Sequence, residues 1–275
     1  MGFDILFWVL CGIYLGGWFF CSIAFYKDKH KIHDIGERLL FIGLALHLFF
    51  MVGGYIELDI FPFETTSGLI LFLSLLIILI YFIVDFYFPN EIFELIFPPI
   101  TLFFLLLSRI ISNQAFNTSD FLDTMPVFGK LILYAHGSFS MIGYILFGVA
   151  CLTSIFFLYQ EKQIKNKTLH LRDAKVPSLG FLDSLNYKVI ATGFIFLTVA
   201  LLLGTIMKVV IHMEHPEISL RQILPLITWL IYAIFLLDRS IRGLRGKISA
   251  IWAISGFVFS VGSFIYEISL IVSKS

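Results

Sequence analysis

Charged side chains are scarce in this sequence, which argues against a water-soluble globular fold. Only 14% of its 275 residues are Asp, Glu, Lys or Arg, whereas a soluble domain carries about 25%. Hydrophobic residues make up 59% of the chain, and the mean hydropathy is +0.95. The longest polar connection, residues 160–186, is too short for a separate soluble domain. The composition therefore predicts a membrane protein without a large extramembrane domain.

Sequence motifs of common enzyme classes are absent as well. There is no P-loop, no Gly-rich dinucleotide fingerprint, no H-E-x-x-H and no G-x-S-x-G. The three cysteines, Cys11, Cys21 and Cys151, form no C-x-x-C pair, so thiol–disulfide exchange is not expected. The 19 basic and 19 acidic residues balance, which gives no electrostatic reason to expect nucleic-acid binding. We expect that the chain is not itself an enzyme.

Long apolar runs are the main feature that the sequence does contain. A run of roughly 20 apolar residues crosses a bilayer as an α-helix, and the chain has eight such runs. We predict an all-α, polytopic membrane protein with about eight transmembrane helices in a single integral membrane domain, residues 1–275. The predicted spans are residues 4–26, 38–56, 67–87, 92–112, 131–159, 187–208, 222–238 and 249–271.

Basic residues follow three of the predicted spans and indicate the orientation of the chain. Clusters of Lys and Arg come after the first, fifth and seventh spans, and basic connections face the cytoplasm. With eight spans, these three connections share one face only if both termini lie outside. We expect a multi-pass protein of the inner (cytoplasmic) cell membrane.

Two histidines lie inside predicted spans, where an ionisable side chain is energetically expensive and therefore a functional candidate. By helical rise, His47 is about 12 Å below the outer end of the second span, and His136 is about 8 Å inside the fifth. Neutral imidazole is a standard axial ligand of haem iron, so the two histidines could bind one haem from opposite faces. Alternatively, each one hydrogen-bonds a neighbouring helix.

His212 and His215 lie in the predicted outer connection before the seventh span, together with Glu214 and Glu217. Their i, i+3 spacing would place the imidazoles on one face of a helical segment. Two imidazoles with carboxylates nearby make a weak candidate for a metal site. The alternative is a solvated polar loop.

Several charged side chains are predicted near the outer ends of their spans. Cationic side chains there could pair with haem propionates or another anionic ligand, or they could extend to the interface without any ligand. Glu267 would reach the interface less easily, because its side chain is short. The cationic candidates are Arg109, Lys208 and Arg221.

Three segments in the second half of the chain occur in an order that resembles a known family. The first segment has a histidine near the outer face and a tyrosine eight residues later. The second is a span that contains glycines and follows an aspartate. The third is a span that begins with a tryptophan and is followed by an arginine. In this order they are similar to the cytochrome c assembly protein family, the haem-handling integral membrane proteins of the CcsA and CcmC type. The residues are His136 and Tyr144; Leu182, Asp183, Tyr187, Gly193, Phe194, Leu197, Thr198 and Gly204; and Trp229–Leu236, Arg239, Gly243 and Gly246.

The resemblance implies a haem-binding or haem-handling protein related to cytochrome c biogenesis, with a b-type haem near the outer face. It implies His136 as an axial ligand of the haem iron, with His47 as a second ligand. Tyr144, Arg109 and Lys208 are the further expected cofactor contacts. The match is good over roughly residues 130–256, so that residues 131–275 form the family-like half and residues 1–130 the weakly matched half.

One departure from the family pattern favours an alternative function. Haem-delivering members carry a tryptophan-rich segment before the span that begins at Trp229, but residues 211–217 here read IHMEHPE. Length, span number and outward termini fit the HemX-like or YpjD-like branch better. The alternative is a non-catalytic membrane regulator or complex subunit that contacts a protein partner through the basic residues 162–175; a small-molecule transporter comes third. The expected partners are the lipid bilayer, haem and a protein of a membrane complex.

Overall fold

The computed structural model describes residues 2–27, 29–58, 62–111, 125–167, 177–210 and 220–272. These residues form eight α-helices, as the apolar runs predicted. Seven are long and apolar enough to cross a membrane, and the eighth has a shorter apolar segment, Lys247–Ser263, among its described residues. The helices are α1 (Gly2–Lys27), α2 (His30–Leu58), α3 (Thr66–Tyr87), α4 (Glu91–Ile110), α5 (Val127–Asn166), α6 (Leu179–Val210), α7 (Leu220–Arg242) and α8 (Lys247–Val272).

Side-chain caps begin two of these helices. At the start of α3 the Thr65 hydroxyl accepts a hydrogen bond from the Gly68 amide at 3.0 Å. At the start of α4 the Asn90 side chain accepts one from the Ile92 amide at 3.0 Å. Each cap satisfies an amide that has no partner within the helix. Because α3 ends at Tyr87 and α4 begins at Glu91, only a short turn joins the two helices.

The longest helix is α5, with 40 residues. Its apolar part is the predicted fifth span, residues 131–159, but the helix continues through polar residues to Asn166. Lys167 then adopts a left-handed conformation with φ 54°, which is a common way for a helix to end. An apolar run therefore locates the membrane-crossing part of a helix, and not the ends of the helix.

The chain divides into two compact units, Met1–Thr124 and Met125–Ser275. In the first unit α1 packs against α2 and α4, and α3 packs against α4. The backbones of α1 and α2 approach closely at Gly36, where a Cβ atom would lie 2.8 Å from the Cys21 nitrogen and 3.0 Å from the Gly17 carbonyl oxygen. Small residues at such contacts let membrane helices pack tightly.

In the second unit α5 packs mainly against α6 and also against α8, while α8 packs against α7. Gly143 and Gly193 bring α5 and α6 together, since a Cβ atom on Gly143 would lie 3.2 Å from the Gly193 carbonyl oxygen. The Phe147 ring of α5 stacks on the Tyr232 ring of α7, with centroids 3.7 Å apart. These contacts fix α5 against its neighbours and so fix the position of His136.

Candidate functional site

His136 lies in the third turn of α5, and its ring contacts α6. Its Nδ1 atom is 2.7 Å from the backbone carbonyl oxygen of Ala200. Because a carbonyl oxygen can only accept, we assign the imidazole proton to Nδ1. The other ring nitrogen, Nε2, then carries the lone pair, and no residue within the described ranges hydrogen-bonds it.

Gly204 provides the space in which the His136 ring lies against α6. A Cβ atom on Gly204 would be 3.0 Å from Cε1 and 3.2 Å from Nδ1 of His136. Any larger residue there would press on the imidazole. This is a physical reason for a glycine at this position of the family-like segment.

The arrangement around His136 has the properties of a metal-binding histidine. A backbone carbonyl that holds the proton on one ring nitrogen fixes the tautomer and the ring orientation, and it leaves the other nitrogen available to a metal. The side chain is half-buried, so it is reachable without unfolding the helix pair. The residues present therefore fit a histidine that would bind haem iron through Nε2.

His47 has a different environment, in the first unit. It is fully buried, with its Nδ1 3.3 Å from the Tyr14 hydroxyl and its Nε2 3.4 Å from the Ser74 hydroxyl. Ser74 donates its own proton to the Leu71 carbonyl oxygen at 2.7 Å, so its oxygen accepts from Nε2–H while Tyr14 donates to Nδ1. Both ring nitrogens are occupied, and binding a metal through either would break one of these hydrogen bonds.

The two histidines belong to separate units of the chain. His47 connects α1, α2 and α3, whereas His136 connects α5 and α6. Their joint binding of one haem stays a prediction.

The other predicted site residues are placed as follows. Tyr144 is a half-buried residue of α5, about 12 Å along the axis from His136. Lys208 belongs to the last turns of α6, but its side chain lies outside the described residues, as do the side chains of Arg221 and Glu267. His212 and His215 also lie outside the described residues.

Arg109, another predicted cofactor contact, has partners within the first unit. It forms an ion pair with Asp4 of α1, and its guanidinium carbon lies 5.9 Å from the centroid of the Phe7 ring. Both charged side chains are about half-exposed, at 57% and 49%. In this arrangement the charge of Arg109 is balanced by α1.

Trp229 supports the segment of α6 that orients His136. Its indole N–H donates to the Thr198 hydroxyl at 2.8 Å, and its ring stacks on Phe194 with centroids 5.2 Å apart. Thr198 is two residues before Ala200, whose carbonyl accepts from His136. The sequence marked these residues as family-like, but the spacing alone did not show that they hold the histidine's partner in place.

Asp183 and Arg239 form an ion pair that joins α6 to α7. Arg239 donates to the two carboxylate oxygens at 3.1 and 2.7 Å, and the side chains are only 10% and 15% exposed. The same carboxylate accepts from the Gly246 amide at 3.0 Å, and Arg239 donates to the Ser249 hydroxyl at 3.0 Å. Gly246 has φ +71°, a conformation that favours glycine. The ion pair therefore also anchors the turn that leads into α8.

Comparisons with known proteins show which family the chain is similar to. A family model described as Cytochrome C assembly protein matches residues 63–268, which extends further toward the N terminus than residues 130–256. "Cytochrome c biogenesis protein CcsA" of Trieres chinensis is 25% identical over 267 residues, covering 87% of this chain and 85% of the relative. The protein of the same name from Solanum bulbocastanum is 27% identical over 274 residues, covering 86% and 83%.

Proposed function

The chain belongs to the cytochrome c assembly protein family, and we propose that it binds or handles haem in cytochrome c biogenesis. The observation that carries the proposal is the contact between His136 Nδ1 and the Ala200 carbonyl oxygen, at 2.7 Å. It leaves Nε2 of a half-buried histidine ready to bind a metal. The helices that hold this histidine, α5 and α6, both lie within the residues that the family model matches.

In the proposed site, His136 would hold a non-covalently bound haem b through Nε2. Haem supplies an iron that takes neutral imidazole as a ligand. The protein's part is to orient that imidazole: Ala200 holds the proton on Nδ1, Gly204 leaves room for the ring, and Trp229 keeps α6 in register through Thr198. Tyr144 and Lys208 remain predicted contacts of the haem.

We propose His136 as the main protein ligand and retain His47 as a predicted second ligand. For that role His47 would have to leave the hydroxyl of Tyr14 or Ser74. Arg109 could contact a haem propionate only in competition with Asp4. The cytoplasmic membrane as location, a protein partner and the narrower HemX-like branch are further parts of the proposal.

The test is the absorption spectrum of detergent-purified protein from haem-replete cells, oxidised and reduced. We expect a Soret band in the wild type and at least about a tenfold loss of bound haem in His136→Ala, because the ligand to iron is removed. His30→Ala is the matched control, since His30 is an exposed histidine at the start of α2. Haem content that is equal in the two variants would remove His136 from the site.

A second measurement separates the loss of a ligand from the loss of the fold. His136→Gly creates space beside Gly204, and added imidazole should then restore the Soret band because it replaces the missing side chain. No recovery with imidazole, together with normal thermal stability, would argue against direct ligation. His47→Ala in the same assay shows whether the second histidine contributes.

A further inference from the structure

A group of ionisable side chains meets at one end of the first unit. His33 and Glu37 lie in the first turns of α2, Asp85 lies near the end of α3, and Glu94 lies in the first turn of α4. One carboxylate oxygen from each of Glu37, Asp85 and Glu94 lies within 4.8 Å of the other two. Three carboxylates from three helices therefore converge on one point.

The most buried of these carboxylates lacks a partner on one side. Glu94 is only 3% exposed. Its Oε1 atom is 2.7 Å from Nε2 of His33, but its Oε2 atom has no hydrogen-bond partner among the described residues. A buried polar atom without a partner is destabilising, so an additional group at Oε2 would offset this cost.

Tyr81 gives a second, independent indication of a missing group. Its side chain is fully buried, and its hydroxyl has no hydrogen-bond partner within the described parts of the chain. Tyr81 lies one helical turn before Asp85 on α3, and the charges of Glu94, Asp85 and Glu37 all act on it. An uncharged hydroxyl therefore lies near the three carboxylates without a partner of its own.

The charges of the group indicate what is missing. With all three carboxylates ionised and the His33 imidazole protonated, the group has a formal charge of −2. Buried carboxylates are stable when they are paired or when they coordinate a metal. A divalent cation would balance the remaining charge.

We propose that Glu37, Asp85 and Glu94 bind one divalent cation. Oxygen ligands of such ions lie about 2.0–2.6 Å from the metal, so two ligands on opposite sides are roughly 4–5 Å apart, which the observed spacing matches. A donor set of carboxylate oxygens suits ions such as Mn²⁺ and Mg²⁺. The Tyr81 hydroxyl, which has no partner among the described residues, is an uncharged candidate for a further ligand, and His33 holds Glu94 in position through Oε1. The ion would tie α2, α3 and α4 together.

The site is independent of haem and can be tested with Mn²⁺ alone. Full-length protein in detergent is freed of metal with a chelator and titrated with Mn²⁺, and the free ion is followed by its electron paramagnetic resonance signal. We expect one bound ion per chain and a higher melting temperature in its presence. Protein-free micelles give the background.

Two variants and one control make the assignment specific. Glu37→Gln removes a charge from a half-buried side chain and so preserves the fold; we expect Mn²⁺ affinity to fall at least about tenfold. Glu94→Gln should have a larger effect. Asp34→Asn is the matched control, because Asp34 is an exposed acidic residue in the first turns of the same helix, α2. The Asp34→Asn protein should bind Mn²⁺ like the wild type.

The proposal has clear contrary outcomes. Absence of a bound Mn²⁺ ion in folded wild-type protein overturns it, and so does equal affinity in Glu37→Gln and Asp34→Asn. An infrared band of a protonated carboxylic acid that persists in saturating Mn²⁺ and disappears in Glu94→Gln would assign the group to proton binding instead. The haem spectrum of the Glu37→Gln protein should be unchanged, so failure here does not affect the proposal for His136.

Discussion

His136 and His47 have the same side chain but differ in what their ring nitrogens contact. A backbone carbonyl, that of Ala200, binds one nitrogen of His136. Two hydroxyls, from Tyr14 and Ser74, bind both nitrogens of His47. The first environment leaves a metal-binding atom available, and the second gives a stable hydrogen-bonded contact between three helices. The two histidines therefore differ in their hydrogen-bond partners, although both lie within predicted spans.

Gly204 offers a direct test at this scale. In Gly204→Ala the new methyl group would lie 3.0 Å from Cε1 of His136, and overpacking of this kind destabilises by about 1–3 kcal/mol. We expect the variant to bind less haem and to show a shifted Soret maximum, because the imidazole is displaced. The matched control is Gly12→Ala, since nothing lies within 4 Å of a Cβ atom there. Identical spectra for the two variants would contradict the proposed role of Gly204.

Part of the site could be predicted from single residues and part could not. His136 was identifiable because an imidazole in an apolar run is energetically costly and is therefore a candidate for a functional role. Its partner could not be found, since a backbone carbonyl at Ala200 has no sequence signature. The pairing of His33 with Glu94, which are 61 positions apart, depends on how helices pack, and each residue alone reads as an ordinary charge near the end of a span.

At the scale of helices, the pair Asp183–Arg239 connects three elements through one carboxylate. The carboxylate accepts from the Arg239 side chain and from the Gly246 amide. Arginine suits this place because its planar group donates two parallel hydrogen bonds to a carboxylate, whereas lysine acts as a single point charge. The pair thus holds α6, α7 and the start of α8 in one arrangement.

Replacement of Arg239 by lysine tests this connection. Arg239→Lys keeps the charge but loses the two-point contact, so we expect the free energy of unfolding to fall by about 2 kcal/mol. The melting temperature in detergent and the rate of proteolysis near residues 243–246 measure the effect. Arg242→Lys serves as the control, because Arg242 is largely exposed and its ion pair among the described residues is with Asp238, one turn away. A melting temperature equal to that of the control would show that the two-point contact contributes nothing.

Helices were easier to predict than their ends, for a physical reason. Apolar runs mark the bilayer core, and the eight runs correspond to the eight helices among the described residues. Helix ends depend instead on local groups such as the Thr65 and Asn90 caps or the left-handed Lys167. The predicted second span began at residue 38, but helix α2 starts at His30. The apolar run could not show this earlier start, because the first turns of α2 carry polar residues.

For the whole molecule, the distribution of basic residues predicts which ends of the helices face the cytoplasm. The positive-inside rule assigns the connection near Lys29 to the cytoplasm and the start of α5 to the outside. The three native cysteines are all buried, so they should give little background in labelling experiments. This makes the predicted topology accessible to a simple measurement.

Labelling of single introduced cysteines checks the orientation. Val127→Cys, at a residue that is 85% exposed, should react with a membrane-impermeant maleimide in intact cells. Lys29→Cys should react only after the membrane is permeabilised, because its connection is predicted to be cytoplasmic. The reverse pattern would place both termini inside and would make the basic connections an exception to the rule.

The 40-residue length of α5 has a mechanical consequence. At 1.5 Å per residue the helix is about 60 Å long, whereas a bilayer with its headgroups is only about 40–45 Å thick. Since the end near Asn166 is polar, that end is the one that extends beyond the lipid. The last turns of α5 would therefore extend beyond the headgroups, and a change of bilayer thickness would change how far they extend.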